Sequence, residues 1–222
     1  FLCDFTCVAV SHNLYLAVLE TEEVPENEEL YYLVNRDLAI KVAKRAKEAG
    51  VKQFIFMSSM SVYGLNCSKE AITKTTECKP NTYYGISKYQ AEEALVQMSS
   101  PTFKVCILRP PMVYGDNSPG NLTKLFKAVR KFHVFPTIKN QRSSITVEKL
   151  VEYVKSYIDT EAEGLYLPQN DAYMCTYEIV RPKMENEGVK VMYLSIFNPI
   201  IRMLIGKIGL ITKCFGDLIY QK

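Results

Sequence analysis

Three observations predict an α/β fold built on a parallel sheet covered by helices on both faces. Short apolar runs of strand length alternate with longer segments of helical period. The two strongest runs are apolar nearly throughout rather than at every second residue, as strands buried on both faces are. The composition is globular: 48% apolar and 23% charged over 222 residues. That length gives one large domain, or one domain with a small lobe, and the composition excludes a disordered or collagen-like chain.

The elements follow in order. Residues 4–10 form a first, weaker strand candidate. Residues 30–49 place Leu30, Leu33, Val34, Leu38, Val42 and Ala46 at helical spacing, with Gly50 as the stop. Glu26, Glu28 and Glu29 stand at its start, where the helix dipole favours negative charge. Residues 51–58 (VKQFIFMS) and 103–108 (FKVCIL) are compact strands, and 164–167 is a fourth. Helices are predicted over 83–98, 121–132 and 147–158. In such sheets ligands bind at the carboxyl ends of the strands, which singles out the loops after Ser58 and Leu108.

Charge and cysteines bound the function. The net charge is +3, too small to call for a nucleic-acid or membrane partner. From Arg181 onward, however, there are 7 basic and 3 acidic residues. Seven irregularly spaced cysteines without a C-x-x-C read as reduced thiols of a cytoplasmic protein. His12 and His133 neighbour neither a cysteine nor each other, so no metal site is expected. The apolar stretch 191–215 is interrupted by Asn198, Arg202, Lys207 and Lys213, and is expected as a helix packed in a lobe, not a span.

Tyr84 and Lys88 form a Y-x-x-x-K on the helix at 83–98, with phenol and ammonium on one face. A nearby cation favours phenolate and suits the tyrosine to acid–base work. With 15 Tyr in the chain, chance alone gives about 1.4 such pairs, so only context makes it a signal. The context is MSSMSVYG at 57–64, which puts Ser58, Ser59 and Ser61 at the carboxyl edge of the sheet. A serine hydroxyl there can bond a substrate oxygen, although a turn or helix cap uses the same residues. The strand at 103–108 ends in ILRPPMVYGDN, where Pro110 and Pro111 fix the backbone.

FIFMSSMSVYG, then YYGISK with Tyr84 25 residues after Ser59, then LRPPMVYG, resembles the extended short-chain dehydrogenase/reductases, in particular the NAD-dependent nucleotide-sugar epimerases. The resemblance runs from about residue 30 to 170. It implies a partial Rossmann-like doubly wound sheet over 1–172, its first β-α-β unit missing, and an incomplete substrate-binding lobe over 173–222. Residues 111–142 would contribute to the substrate site. Tyr84 would be the catalytic acid and base, Lys88 would tune it and hold the nicotinamide ribose, and Ser59 would be the catalytic serine. Asn35 and Pro111 would lie against the cofactor. Ser61 would touch the sugar, Asn121 and Leu122 the nucleotide, and Arg142 the diphosphate, where a guanidinium fork matches phosphate oxygens.

The implied reaction is epimerisation of a nucleotide-activated hexose, a UDP-hexose first, at C4 through a 4-keto intermediate with bound NAD (NADP left open). The alternatives are a keto-sugar or other carbonyl reductase and a non-catalytic cofactor-sensing protein on the same fold. Related enzymes pair through the helices expected at 27–49 and 83–98, which implies a homodimer. Several residues depart from the pattern. Met60 and Ser61 follow Ser59 where sugar dehydratases carry an acidic pair. Pro111 and Met112 replace the aromatic and amide side chains of the classical 4-epimerases. No G-x-G-x-x-G occurs. The chain is therefore expected to be an internal fragment of a longer protein that by itself binds NAD weakly or not at all.

Overall fold

The structure, a computed structural model, describes residues 6–10, 14–18, 28–115 and 121–222. Cys3, His12, Glu26 and the first two residues of the strand expected at 4–10 lie outside them. The chain divides into two units. The first comprises Phe1–Leu65, Thr73–Met112 and Glu148–Gln169, and the second Asn66–Ile72, Val113–Val147 and Asn170–Lys222.

The first unit is a five-stranded sheet in the order β1-β2-β3-β4-β8. Its strands are β1 (Thr6–Val10), β2 (Leu14–Val18), β3 (Gln53–Met57), β4 (Lys104–Leu108) and β8 (Gly164–Tyr166). β2, β3, β4 and β8 run parallel. Alternation along β3 and β4 builds two cores. Phe54, Phe56, Val105 and Ile107 meet Ala39, Ala43 and Ala46 of α2 (Ala39–Glu48) and Ala91 and Leu95 of α3 (Tyr83–Val96). Ile55, Met57, Cys106 and Leu108 face the other way, against Leu150, Val154, Tyr157 and Ile158 of α5 (Val147–Asp159). Both faces are thus covered, which explains why these strands read as nearly unbroken apolar runs.

The strand expected at 4–10 is present as β1, but it pairs antiparallel with β2, which the sequence reading missed. Only three residues separate the two strands, and a parallel partner needs a crossover of a dozen or more. The helix expected over 30–49 is not a single α-helix. It begins as α1 (Glu28–Tyr31), widens to a π-helix over Tyr32–Leu38 and continues as α2. The wider turn shifts the phase of the buried stripe, so Tyr31, Val34, Asn35 and Ala39 point inward while Leu33 is 58% exposed. Gly50 does end the helix: at φ 75° it lets its own amide reach Lys47 O (3.1 Å) and the Val51 amide reach Ala46 O (3.0 Å).

The second unit holds α4 (Asn121–Phe132), α6 (Thr176–Asn186) and the short pairs β5 (Met112–Tyr114) with β7 (Ser144–Thr146) and β6 (Val134–Pro136) with β9 (Met192–Leu194). Its core is Val129, Phe135, Val180 and Met184. The single helix expected within 191–215 is instead β9, a 3₁₀ turn over Ser195–Phe197, α7 (Asn198–Leu204) and α8 (Gly209–Phe215). Pro199 suits only a helix's first turn, and Gly206 at φ 84° reverses the chain between the two helices.

Candidate functional site

The site is built at the carboxyl ends of β3 and β4. The ladder between these strands continues past their ends: the Ser58 amide donates to Leu108 O (2.7 Å) and the Met60 amide to Pro110 O (3.0 Å). This fixes the serine loop beside the buried Pro110 and Pro111. Ser59, extended at φ −156°, caps the 3₁₀ turn Met60–Tyr63, its Oγ accepting from the Ser61 amide (3.1 Å). The same hydroxyl donates to Ser61 Oγ (3.2 Å), so the capping role coexists with a half-buried hydroxyl pair. Ser58 is buried and its Oγ has no hydrogen-bond partner in the structure.

α3 is capped by Thr82, whose Oγ1 accepts from the Gly85 amide (3.1 Å). A Cβ at Gly85 would stand 2.7 Å from Ser61 O, so glycine lets the first turn of α3 pack directly on the serine turn. Tyr84 and Lys88 follow on this helix. Tyr84 is half-buried, its ring edge-on to that of Tyr31 at 6.4 Å. Lys88 is only 1% exposed. Its Nζ donates to Met57 O at the end of β3 (2.9 Å) and lies over the rings of Phe56 (5.1 Å) and Tyr84 (5.8 Å). The expected proximity of phenol and ammonium is therefore present.

The π-helix delivers Asn35. Fully buried, it donates from Nδ2 to Ser87 Oγ (3.2 Å), and Ser87 Oγ donates to Tyr84 O (3.0 Å). Its Oδ1 has no partner. Behind these groups lies an ion pair that the sequence reading missed. Arg109 donates from Nε to Glu92 Oε1 (2.9 Å) and from Nη1 to the Tyr63 hydroxyl (2.9 Å). Burial works against the Arg109 charge, but the Glu92 carboxylate outweighs it and holds the guanidinium above its usual range. Burial likewise pushes the Tyr63 phenol up, against the pull of Arg109. Arg109 thus ties α3, the serine turn and the loop after β4 together. The available signals were a charge ending an apolar strand and a second one a helical turn beyond Lys88.

Asn35, Ser59, Ser61, Tyr84, Lys88 and Pro111 all belong to the first unit, and Asn121, Leu122 and Arg142 to the second. Asn121 and Leu122 open α4. Arg142 is half-buried, its backbone bridged to Met174 and Leu218. Its Nη1 donates to Gly216 O (2.8 Å) and Asn66 O (3.4 Å). Burial lowers its pKa, with Cys214, Cys67 and Asp217 pulling the other way. It forms no ion pair with a carboxylate among the described residues.

A model of the NAD dependent epimerase/dehydratase family matches residues 11–164. The chain belongs to this family. It is 32% identical to the UDP-glucose 4-epimerase of Vibrio cholerae over 182 residues, 79% of this chain and 54% of that protein. It is 35% identical over 140 residues to the N-acetyl-alpha-D-glucosaminyl-diphospho-ditrans,octacis-undecaprenol 4-epimerase of Escherichia coli O157:H7, 61% of this chain and 42% of that one. The chain thus spans about half the length of the curated relatives it matches. The fold is shared with the Bacillus cereus UDP-glucuronic acid 4-epimerase solved with NAD: TM-score 0.70, 15% identity, 82% of this chain and 62% of that one. Family membership supports the Rossmann-like reading of the first unit. The glycine-rich turn of such folds has no counterpart in these 222 residues.

Proposed function

We propose that the protein epimerises a sugar carried on a nucleotide diphosphate, at C4 through a 4-keto intermediate, with NAD or NADP as its cofactor. The Tyr84–Lys88 pair, held against the end of β3, is the observation that carries this function. The ammonium beside Tyr84 favours its phenolate, which takes the proton of the sugar 4-hydroxyl and later returns one. Ser59 holds the same oxygen from the adjoining turn. The residues present fit a dinucleotide. Asn35 offers a buried Oδ1 with no partner, and the Ser58 hydroxyl is likewise buried and unmatched. Asn35, Lys88, Tyr84 and Pro111 would hold the nicotinamide end. When bound, the cofactor supplies the redox chemistry that takes the carbinol to a ketone and back.

In the second unit Arg142, with carbonyl partners and no carboxylate, would pair the diphosphate. Ser61 would meet the sugar, and Asn121 and Leu122 the nucleotide. Both relatives above carry a 4-epimerase name and a diphosphate-linked sugar, so a UDP-hexose is the first substrate to assay. The exposed Leu30, Leu33 and Tyr83 support pairing of two copies through α1, the π-helix and α3. In the full-length protein, Tyr84→Phe is expected to lower C4 epimerisation by about a hundredfold or more, the range of general acid–base catalysis. Unchanged turnover would remove the role of Tyr84. Steady NADPH consumption on adding substrate would replace epimerisation by carbonyl reduction.

A further inference from the structure

Between Gly188 and Gly216 the chain has four basic residues, Lys190, Arg202, Lys207 and Lys213, and no acidic one. The same stretch exposes large apolar side chains: Met192 (60%), Ile196 (75%), Ile200 (56%), Met203 (61%), Ile208 and Leu210 (75%). Single exposed apolar residues are ordinary, but with Phe197 seven fall within the 19 residues 192–210. The scaffold beneath them is built. α7 packs against α8, and the reversal between them is pinned by Thr212, whose Oγ1 accepts from the Gly206 amide (2.7 Å) and donates to Ile208 O (2.8 Å). Phe215, on the inner side, packs on Phe135 at 5.6 Å. Arg202, Lys207 and Lys213 are exposed and make no ion pair with any described residue.

Apolar side chains among cations, with no anion between them, fit an anionic lipid surface: headgroups take the charges and the apolar tips enter the acyl boundary. A second copy of the chain fits less well, because it would set the same cations against each other. We propose that the α7–α8 hairpin docks peripherally on membranes rich in anionic phospholipid. No helix among the described residues is long and apolar enough to cross a membrane, so the contact is a surface one. The small net charge of the whole chain hides this face because its acids lie elsewhere.

The test is co-sedimentation of the full chain with vesicles of equal parts phosphatidylglycerol and phosphatidylcholine. Binding is expected, weakening as salt rises, with little binding to phosphatidylcholine alone. Lys207→Glu and Lys213→Glu are each expected to weaken it at least about fivefold. Ile208→Asp with Leu210→Asp should abolish it while circular dichroism stays unchanged, because both side chains are already exposed. Failure to sediment, equal binding to neutral vesicles, or binding indifferent to these variants would overturn the proposal. So would a lipid-free dimer that the apolar variants dissolve. The readout is independent of turnover, so it stands or falls apart from the epimerase reading.

Discussion

At the scale of residues, the buried cations decide how firmly the site is held. Lys88 and Arg109 are both nearly inaccessible, yet they have different partners. Lys88 donates to the Met57 carbonyl and lies over the Phe56 and Tyr84 rings, which places its Nζ beside Tyr84. Arg109 is locked on Glu92 and on the Tyr63 hydroxyl, behind the serine turn. It acts on the site by position. Replacing it by leucine leaves Glu92 buried without its cation, which costs about 3–5 kcal/mol. Arg109→Leu is therefore expected to lower the urea midpoint sharply. Arg109→Leu with Glu92→Leu should recover much of that stability. A double variant no more stable than the single one would show that the pair is not what α3 and the post-β4 loop depend on.

At the scale of elements, close approach matters more than pattern. Gly85 brings α3 onto the serine turn with no room for a methyl group. Gly85→Ala must push the two elements apart, because the Ser61 carbonyl at 2.7 Å is backbone and cannot swing aside. A loss of about 1–3 kcal/mol is expected in denaturant melts. Turnover should fall further than that destabilisation explains, since Ser59 and Tyr84 stand on opposite sides of the gap. Turnover unchanged beside a lowered midpoint would mean the spacing does not govern the chemistry. The same contrast explains what the sequence could disclose. β3 and β4 were legible because burial on both faces leaves nearly continuous apolar runs, and the Ser59, Tyr84 and Lys88 motif stood out by its spacing after β3. β5, β6, β7 and β9 are three residues each, too short for any period to emerge. The π-helix left no mark in the pattern, so Leu33 was assigned to a core that the widened turn takes it out of. Ser87, Glu92 and Arg109 join the site through contacts between elements far apart in the chain, which no local spacing encodes.

At the scale of the whole sheet, one of its two faces should set the alkaline limit of stability. The layer between the sheet and α5 contains Cys106 and Tyr157, both with protons that burial makes hard to lose. Burial pushes the Cys106 thiol from 9.0 up to about 12, and the Tyr157 phenol from 10.0 up to about 12. In the unfolded chain each ionises at its ordinary value. Below about pH 8 both groups are protonated in either state and contribute almost no pH dependence. Between about pH 9 and 12 the unfolded state releases protons that the native state keeps, so stability falls as pH rises. The Cys106 slope approaches about 1.4 kcal/mol per pH unit at most. Cys106→Ala removes one of the two groups at the cost of a small cavity. Its stability at neutral pH should be lower than that of the parent, but its loss between pH 9 and 11 should be shallower. Urea melts across that range measure both. Parallel curves for variant and parent would show that Cys106 ionises in the folded state as readily as in the unfolded one, and that the layer under α5 is wetter than its packing indicates.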